Sequence, residues 1–263
     1  MTAALRITSL DNPRVKDAVK LRERRVRTRA SRFLVEGRRE LELALEAGLA
    51  PDHVFVRAVK GTDPLVEKAE AAGARRFEVS DDVWAKIAMR TGTDAVLGVF
   101  ATPDLSADRL RLPAEPLVLA ASGIEKPGNV GALLRSADAF GVDAFVAEGG
   151  TDLFNPNVVR ASLGCLFTVP VATVPAGQLV AWLRGKGLRV VAATPDGNRA
   201  PDRTDFSGAV AIVVGAEDDG LAAGAMGAAD ERVRIPMRGR ADSLNVSVSA
   251  AVLLYEADRQ RAR

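Results

Sequence analysis

Cysteine and histidine occur once each in this chain of 263 residues, as Cys165 and His53. One cysteine cannot close an internal disulfide, and with one histidine it makes no metal-binding cluster of the usual kind. Structural zinc, other metal ligands and Cys-His catalysis are therefore not expected. Long apolar runs are also missing. Nothing approaches about 18 consecutive apolar residues, and "MTAALRITSLDNPRVK" lacks the apolar stretch of a signal peptide, so a cytoplasmic chain is expected. Two phosphate-binding fingerprints are absent as well. There is no G-x-x-x-x-G-K-[ST] and no G-x-G-x-x-G after a first strand, which argues against a P-loop NTPase and an ordinary dinucleotide enzyme.

What the chain does have is apolar bulk and a biased distribution of charge. It is 48% hydrophobic, enough for one large domain or two ordinary ones. The formal net charge is only +2, yet residues 1–32 carry ten basic side chains against three acidic ones. A polyanionic partner and a solvated helix face would each account for that run. Its candidate contacts are Arg22, Arg24, Arg25, Arg27 and Arg29.

Residues 12–29 read as helical and polar. "RFLVEGRRELELALEAGL" reads as a strand, a glycine turn and an amphipathic helix with Leu41, Ala44, Leu45 and Leu49 inward. The strand "HVFVRA", a helix over 64–72, a strand over 76–79, a helix over 81–88 and the strand "AVLGVFA" complete an α/β unit, residues 1–104. "TPDLSADRLRLPAEP" is polar and proline-containing, which places a linker over 105–115. In 116–263 the runs "LVLAAS", "DAFVAE", "TVPVATV", "LRVVAAT", "AVAIVVG" and "RVRIPM" are short, apolar and rich in β-branched residues. Fully buried parallel strands look like this, so an open, mostly parallel α/β sheet is expected, with its ligand beyond the carboxyl ends of the strands.

Three stretches carry candidate chemistry. In "GIEKPGNVGALLRSADAFGVDAFV" Asn129 reads as a helix N-cap, while Val130, Leu133, Leu134 and Ala137 recur at helical spacing to pack on the sheet. Arg135 lies off that stripe beside Gly131 and Gly128, where a guanidinium can receive a phosphate or a developing oxyanion. By spacing alone the simpler reading is an exposed helix arginine. "VVGAEDDGL" ends a buried strand in a loop with Glu217, Asp218 and Asp219, either a magnesium site or, as the simpler reading, a solvated turn. "RIPMRGRADSLNVSVSAAVLLYE" gives a strand stopped by Pro236, a basic loop, and a helix start dense in Ser243, Asn245, Ser247 and Ser249. Such residues compete with helix backbone hydrogen bonds, so something other than helix formation is using them.

In this order the stretches resemble the SpoU/TrmH-type RNA ribose 2′-O-methyltransferases of the SPOUT superfamily. The resemblance rests on "GNVGALLR" with Asn129 and Arg135, "VVGAEDDGL" with Gly215, Glu217, Gly220 and Leu221, and "IPMRGRADSLNVSVSAAVLLYE" with Pro236, Ser243, Asn245 and Ala250. "NPNVVRASLGCLFTVPV", with Arg160 and Ser162, looks like the family's intervening segment, and "RFLVEGRRELELAL" is similar to the ribosomal-protein-like RNA-binding domain that precedes the catalytic domain in many members.

The resemblance implies a C-terminal deep trefoil knot, a homodimer built through it, and S-adenosylmethionine held by the knot loops. It implies cofactor contacts from Thr194, Gly215, Ile235, Met237, Ser243 and Leu244. Arg135 acts on the ribose 2′-hydroxyl, with Asn129, Glu217, Ser243 and Asn245 as the other polar site positions. The arginines of the basic run, together with Arg160, would contact RNA, ribosomal first and transfer RNA second, and the polar helix start becomes a cofactor wall. A catalytically idle RNA-binding or ribosome-assembly protein and a base-modifying relative with the same fold are the competing readings. With only 5% aromatic residues, extensive base stacking is not expected; recognition by shape and backbone is.

Overall fold

The computed structural model describes residues 5–57, 63–89, 96–216 and 227–262. The chain divides into two compact units, residues 1–103 with 152–168 and residues 104–151 with 169–263.

Polar caps followed by proline start several helices of the first unit. In α1 (Pro13–Lys20) Asn12 Oδ1 accepts the Arg14 N–H at 3.0 Å. In α4 (Pro64–Ala71) Asp63 does the same for Leu65 at 3.1 Å, and in α5 (Asp81–Ile87) Ser80 caps Val83 at 3.4 Å. With α2 (Arg24–Ala30) and α3 (Arg38–Glu46) these helices accompany five strands: β1 (Leu5–Ile7), β2 (Arg32–Glu36), β3 (Pro51–Arg57), β4 (Arg75–Val79) and β5 (Val96–Ala101). The sheet order is β1-β4-β3-β5-β2, with β4 parallel to β1 and β3, and β5 antiparallel to β3 and β2. Residues 12–29, read as helical and polar, form two helices, α1 and α2. Leu21 is buried where α1 ends, and the Arg27 guanidinium turns back to donate to the carbonyls of Leu21 (2.8 Å) and Arg22 (2.6 Å), satisfying acceptors that the break leaves open.

Residues 152–168 fall inside the continuous 116–263 stretch expected for the second domain, yet they pack with the first unit. Their helix α7 (Pro156–Ala161), capped by Asn155, lies against β2. Phe154 and Phe167 flank Phe33 of β2 at centroid distances of 4.2 and 6.2 Å. Gly164 has φ +86°, a left-handed conformation that favours glycine, and a Cβ added there would lie 2.5 Å from Leu43 Cδ1 on α3, which would have to move.

His53, at first sight a residue at the start of a strand, sits in β3 with its ring edge-on to Phe55 (5.1 Å) and Phe77 (5.6 Å). Burial, helped by Arg14 and Arg32 and opposed by Asp52 and Asp17, lowers its pKa from 6.5 to about 4. Between those values the unfolded chain binds the proton and the folded chain does not, so stability rises with pH through this window and is lost as pH falls through it. In denaturant titrations at several pH values, His53→Phe is expected to flatten the loss between pH 6.5 and 4.

The second unit is built on β6 (Leu117–Ser122), β7 (Ala144–Glu148), β8 (Val171–Val174), β9 (Arg189–Ala193), β10 (Val210–Val214) and β11 (Glu231–Val233). Their order is β11-β9-β10-β6-β7-β8 and every pairing is parallel. All residues of β6, β7 and β10 are buried, as apolar runs without alternation require. Helices α6 (Pro127–Ala139), α8 (Leu179–Gly185) and α9 (Val246–Arg261) complete the unit, with α6 and α9 packed together. The expected linker, 105–115, is tied into this unit at its start. Leu105 O accepts the Thr173 N–H at 2.8 Å, Ser106 bridges to Thr173, and Ala107 is buried in the core.

From β6 the chain adds β7 and β8 on one side, then crosses to place β10, β9 and β11 on the other. The order reverses between β6 and β10, and ligands of open α/β sheets bind outside the carboxyl ends at such a switch point.

Candidate active site

Because every pairing is parallel, the carboxyl ends of four strands form one edge. Val214 pairs with Ala121, Val213 with Ala192 and Ala193 with Val233, so the next residues, Ser122, Gly215, Thr194 and Arg234, stand level across it. Three of the positions expected to hold the cofactor are thereby brought together: Thr194 after β9, Gly215 after β10 and Ile235 after β11. Thr194 N–H donates to Val233 O at 3.0 Å. Thr194, Gly215, Ile235 and Met237 are half-buried, and Leu244 is exposed. Among the described residues the backbones of Ile235, Met237 and Leu244 make no hydrogen bond. Unspent amides and carbonyls at a sheet edge suit a ligand with adenine and amino-acid ends, so these residues fit S-adenosylmethionine.

Residues 232–234 are gripped from two sides. On one side β11 pairs with β9; on the other Asn198 N–H donates to Arg232 O at 3.2 Å, and Arg234 N–H to Arg199 O at 2.8 Å. Gly197 makes this passage possible, since a Cβ there would lie 2.5 Å from the Val233 carbonyl carbon and 2.7 Å from the Arg234 nitrogen.

The two polar positions on which the resemblance leans are joined directly. Asn245 Nδ2 donates to Asn129 Oδ1 at 3.1 Å, across 116 residues of sequence. Asn245 Oδ1 accepts the Ser247 N–H (3.0 Å) and hydroxyl (2.6 Å), so Asn245 caps α9 and fixes its own amide orientation. The polar helix start therefore has a physical account: α9 begins at Val246, and Ser243 and Leu244 lie exposed in the segment before it. Asn129 is not the N-cap expected of it. Pro127 starts α6 after Lys126, because proline's fixed φ suits the first turn, and Asn129 falls within that turn with its side chain turned to Asn245. Arg135 follows on α6, exposed and without a hydrogen bond or ion pair among the described residues. Glu217, with Asp218, Asp219, Gly220 and Leu221, lies outside the described residues.

One buried cluster at the same edge was not anticipated. Ser122 Oγ donates to Glu148 Oε2, Leu179 N–H donates to Glu148 Oε1 at 3.1 Å, and Thr151 Oγ1 donates to Ile124 O at 2.8 Å. These bonds tie the turn that leads into α6 to the end of β7 and to the start of α8. An acid closing the otherwise apolar strand "AFVAE" was the signal available in the sequence.

The arginines expected to contact RNA all lie in the first unit, Arg160 on α7 included. Arg24, Arg25, Arg29 and Arg160 are exposed. Arg22 is exposed but partly spent, donating to Lys86 O (2.8 Å) and Ala88 O (3.1 Å). Arg27 corrects the expectation. Only 4% exposed, it donates to Asp152 as well as to the carbonyls at the end of α1, so it is a structural tie and not an open cation.

An open parallel α/β sheet, with loops at its switch point and the helix of Arg135 bonded through Asn129 to the last of them, defines a fold of the nucleotide-binding α/β type. The chain matches the SpoU rRNA Methylase family over residues 116–255 and the MRM3-like substrate binding domain over residues 12–98. It belongs to the SpoU methylase family. It is 31% identical over 250 residues to the 23S rRNA (guanosine(2553)-2′-O)-methyltransferase RlmP of Bacillus subtilis, covering 95% of this chain and 97% of that one. It is also 31% identical over 268 residues to a 23S rRNA (uridine(2479)-2′-O)-methyltransferase of Streptomyces viridochromogenes, covering 98% and 93%. Among solved structures it is similar to an AdoMet-bound rRNA methyltransferase from Sinorhizobium meliloti, with a TM-score of 0.90 and 30% identity over 97% of this chain and 98% of that one.

Proposed function

We propose that this chain transfers a methyl group from S-adenosylmethionine to a ribose 2′-hydroxyl of structured RNA, with large-subunit ribosomal RNA as the substrate. The observation that carries the reading is the Asn129–Asn245 bond, which ties the helix of Arg135 to the segment following Ile235 and Met237. Full-length relatedness to 23S rRNA 2′-O-methyltransferases supports the choice of RNA. Transfer RNA is the second candidate.

Bound cofactor supplies an electrophilic sulfonium methyl. The chain's part is to orient the ribose and to favour charge on its oxygen. Arg135 carries a permanent positive charge. It therefore stabilises the forming alkoxide and does not act as a base, and an RNA phosphate or water takes the proton. Asn129, Ser243, Asn245 and Glu217 hold the loops and the substrate around it. Arg22, Arg24, Arg25, Arg29 and Arg160 grip the RNA backbone from the first unit.

The reading includes a homodimer and the knot. Leu244, Val248, Val252 and Tyr255 are 36 to 60% exposed along one side of α9 and the residue before its cap, while Ala250, Leu253, Leu254 and Ala257 bury the other side. A second copy of the chain is the occupant proposed for that exposed stripe. The passage of residues 232–234 between β9 and residues 197–199 supports the knotted topology. The cytoplasm, where such RNA is found, is the proposed compartment.

Incubation of the protein with labelled S-adenosylmethionine and unmodified ribosomal or transfer RNA, followed by digestion to nucleosides, tests the reading. A labelled 2′-O-methylnucleoside is expected from ribosomal RNA. Label on a base would point to the base-modifying alternative, and cofactor binding without transfer to free RNA or ribosomal particles would point to an RNA-binding or assembly protein.

A further inference from the structure

Residues 231–238 alternate in exposure with the period of an extended chain. Val233 is buried and Ile235 and Met237 are half-buried, while Arg232, Arg234, Pro236 and Arg238 between them are exposed. One face of this segment thus turns the proposed cofactor residues inward, and the other turns arginines to solvent. Arg240, also exposed, continues the run, and residues 232–240 hold four arginines and no acid.

The acids just upstream are already engaged. Asp230 is paired with Arg184 at 2.7 Å, and Glu231 with Arg189 at 2.7 Å and Arg199 at 3.4 Å. The side chains of Arg232, Arg234, Arg238 and Arg240 make no hydrogen bond or ion pair among the described residues. Asp242 is the acid that follows, two residues after Arg240. Arg232 lies within β11, whose outer side is already taken by the backbone of residues 198 and 199. Beyond the strand, the side chains of Arg234, Arg238 and Arg240 have no role in the fold among the described residues.

We propose that Arg234, Arg238 and Arg240 form a phosphate-binding row that holds the RNA backbone flanking the nucleotide being methylated. The proposal rests on the RNA reading above and extends it to the methyltransferase unit itself. Guanidinium forks pair bidentately with phosphate; Arg234 and Arg238, four residues apart along the extended stretch, lie about 13 Å from one another, a reach suited to alternate phosphates of one strand, and Arg240 follows at the bend over 239–240. The position suits the task. Arg234 stands level with Ser122, Gly215 and Thr194, and the segment ends at Asn245, which is bonded to the helix of Arg135. Cations on the outer face of the loop that lines the cofactor would seat the ribose without occupying the cofactor's own face.

The test compares wild type with the triple variant Arg234→Gln/Arg238→Gln/Arg240→Gln and with the corresponding triple lysine variant. Four quantities are measured: cofactor affinity by calorimetry, RNA affinity against salt, methyl-transfer kinetics, and thermal stability. The glutamine variant is expected to raise the KM for RNA about tenfold or more and to shallow the slope of log K against log salt by about two. Its kcat at saturating RNA, cofactor affinity and melting temperature stay near wild type, and the lysine variant recovers most of the salt slope. An unchanged KM and slope would overturn the proposal. So would a loss of cofactor affinity, which would assign the arginines to the methyl donor, or a fall in stability without a change in salt slope. If wild type transferred no methyl to any RNA, the functional reading would fail by itself, and the salt dependence of RNA binding would still judge the arginine row.

Discussion

Arg135→Ala is expected to lower kcat for methyl transfer by about 100- to 1,000-fold, the effect of removing one preorganised group that stabilises a developing oxyanion. Cofactor affinity should hardly change, because Arg135 is exposed on α6 and the proposed cofactor positions lie on other segments. Arg135→Lys separates charge from shape. It keeps the positive charge but loses the planar fork, and it should recover only part of the rate. Undiminished turnover in Arg135→Ala, measured at saturating RNA and cofactor, would remove Arg135 from the reaction; undiminished turnover in Arg135→Lys would remove the need for its planar fork. A rate that falls only at subsaturating RNA would make it a binding residue.

Arg27→Ala is expected to cost about 3 to 5 kcal/mol of stability, and to lower the melting temperature by about 10 °C or more. The substitution strands Asp152 and reopens the carbonyls of Leu21 and Arg22 that the guanidinium now satisfies. Asp152→Asn should show a smaller loss in the same direction. By contrast, Arg24→Ala, Arg25→Ala and Arg29→Ala should each stay within about 0.5 kcal/mol of wild type, as exposed substitutions do, while weakening RNA binding and its salt dependence. Thermal melts on all five variants and salt-dependent RNA binding on the four arginine variants check both halves. If Arg27→Ala kept its stability and lost only RNA affinity, the structural role assigned to it would be wrong.

These neighbouring arginines show where local reading stops. All five of the basic run satisfy the same sequence criterion, and although Arg27 bonds the nearby carbonyls of Leu21 and Arg22, no residue type around it marks it out. Its carboxylate partner is Asp152, 125 residues away, in a segment that the Phe33 ring draws into the first unit through Phe154 and Phe167. Asn129 makes the same point. Its type and position before an apolar stripe were sufficient to read a cap, but Pro127 took the first turn and freed the side chain for Asn245. Glu148 was legible only as an oddity, an acid closing a buried strand, until Ser122 and Leu179 appeared on its two oxygens.

The sequence by itself determined the elements and the class. Uninterrupted apolar β-branched runs meant parallel strands buried on both faces, apolar residues at helical spacing meant amphipathic helices, and the ordered motifs around Arg135, Gly215 and Asn245 meant one family. These are properties of period, propensity and short-range hydrogen bonding, which act within a few residues. Only the tertiary structure decided which arginines are open and which are spent. It also decided that residues 152–168 join the first unit, that Thr194, Gly215 and Arg234 stand level, and that Arg234, Arg238 and Arg240 share the loop but not the face of Ile235 and Met237. The reason is physical. Burial and charge pairing depend on partners that strand order brings together from a hundred residues away, and no local pattern carries that order.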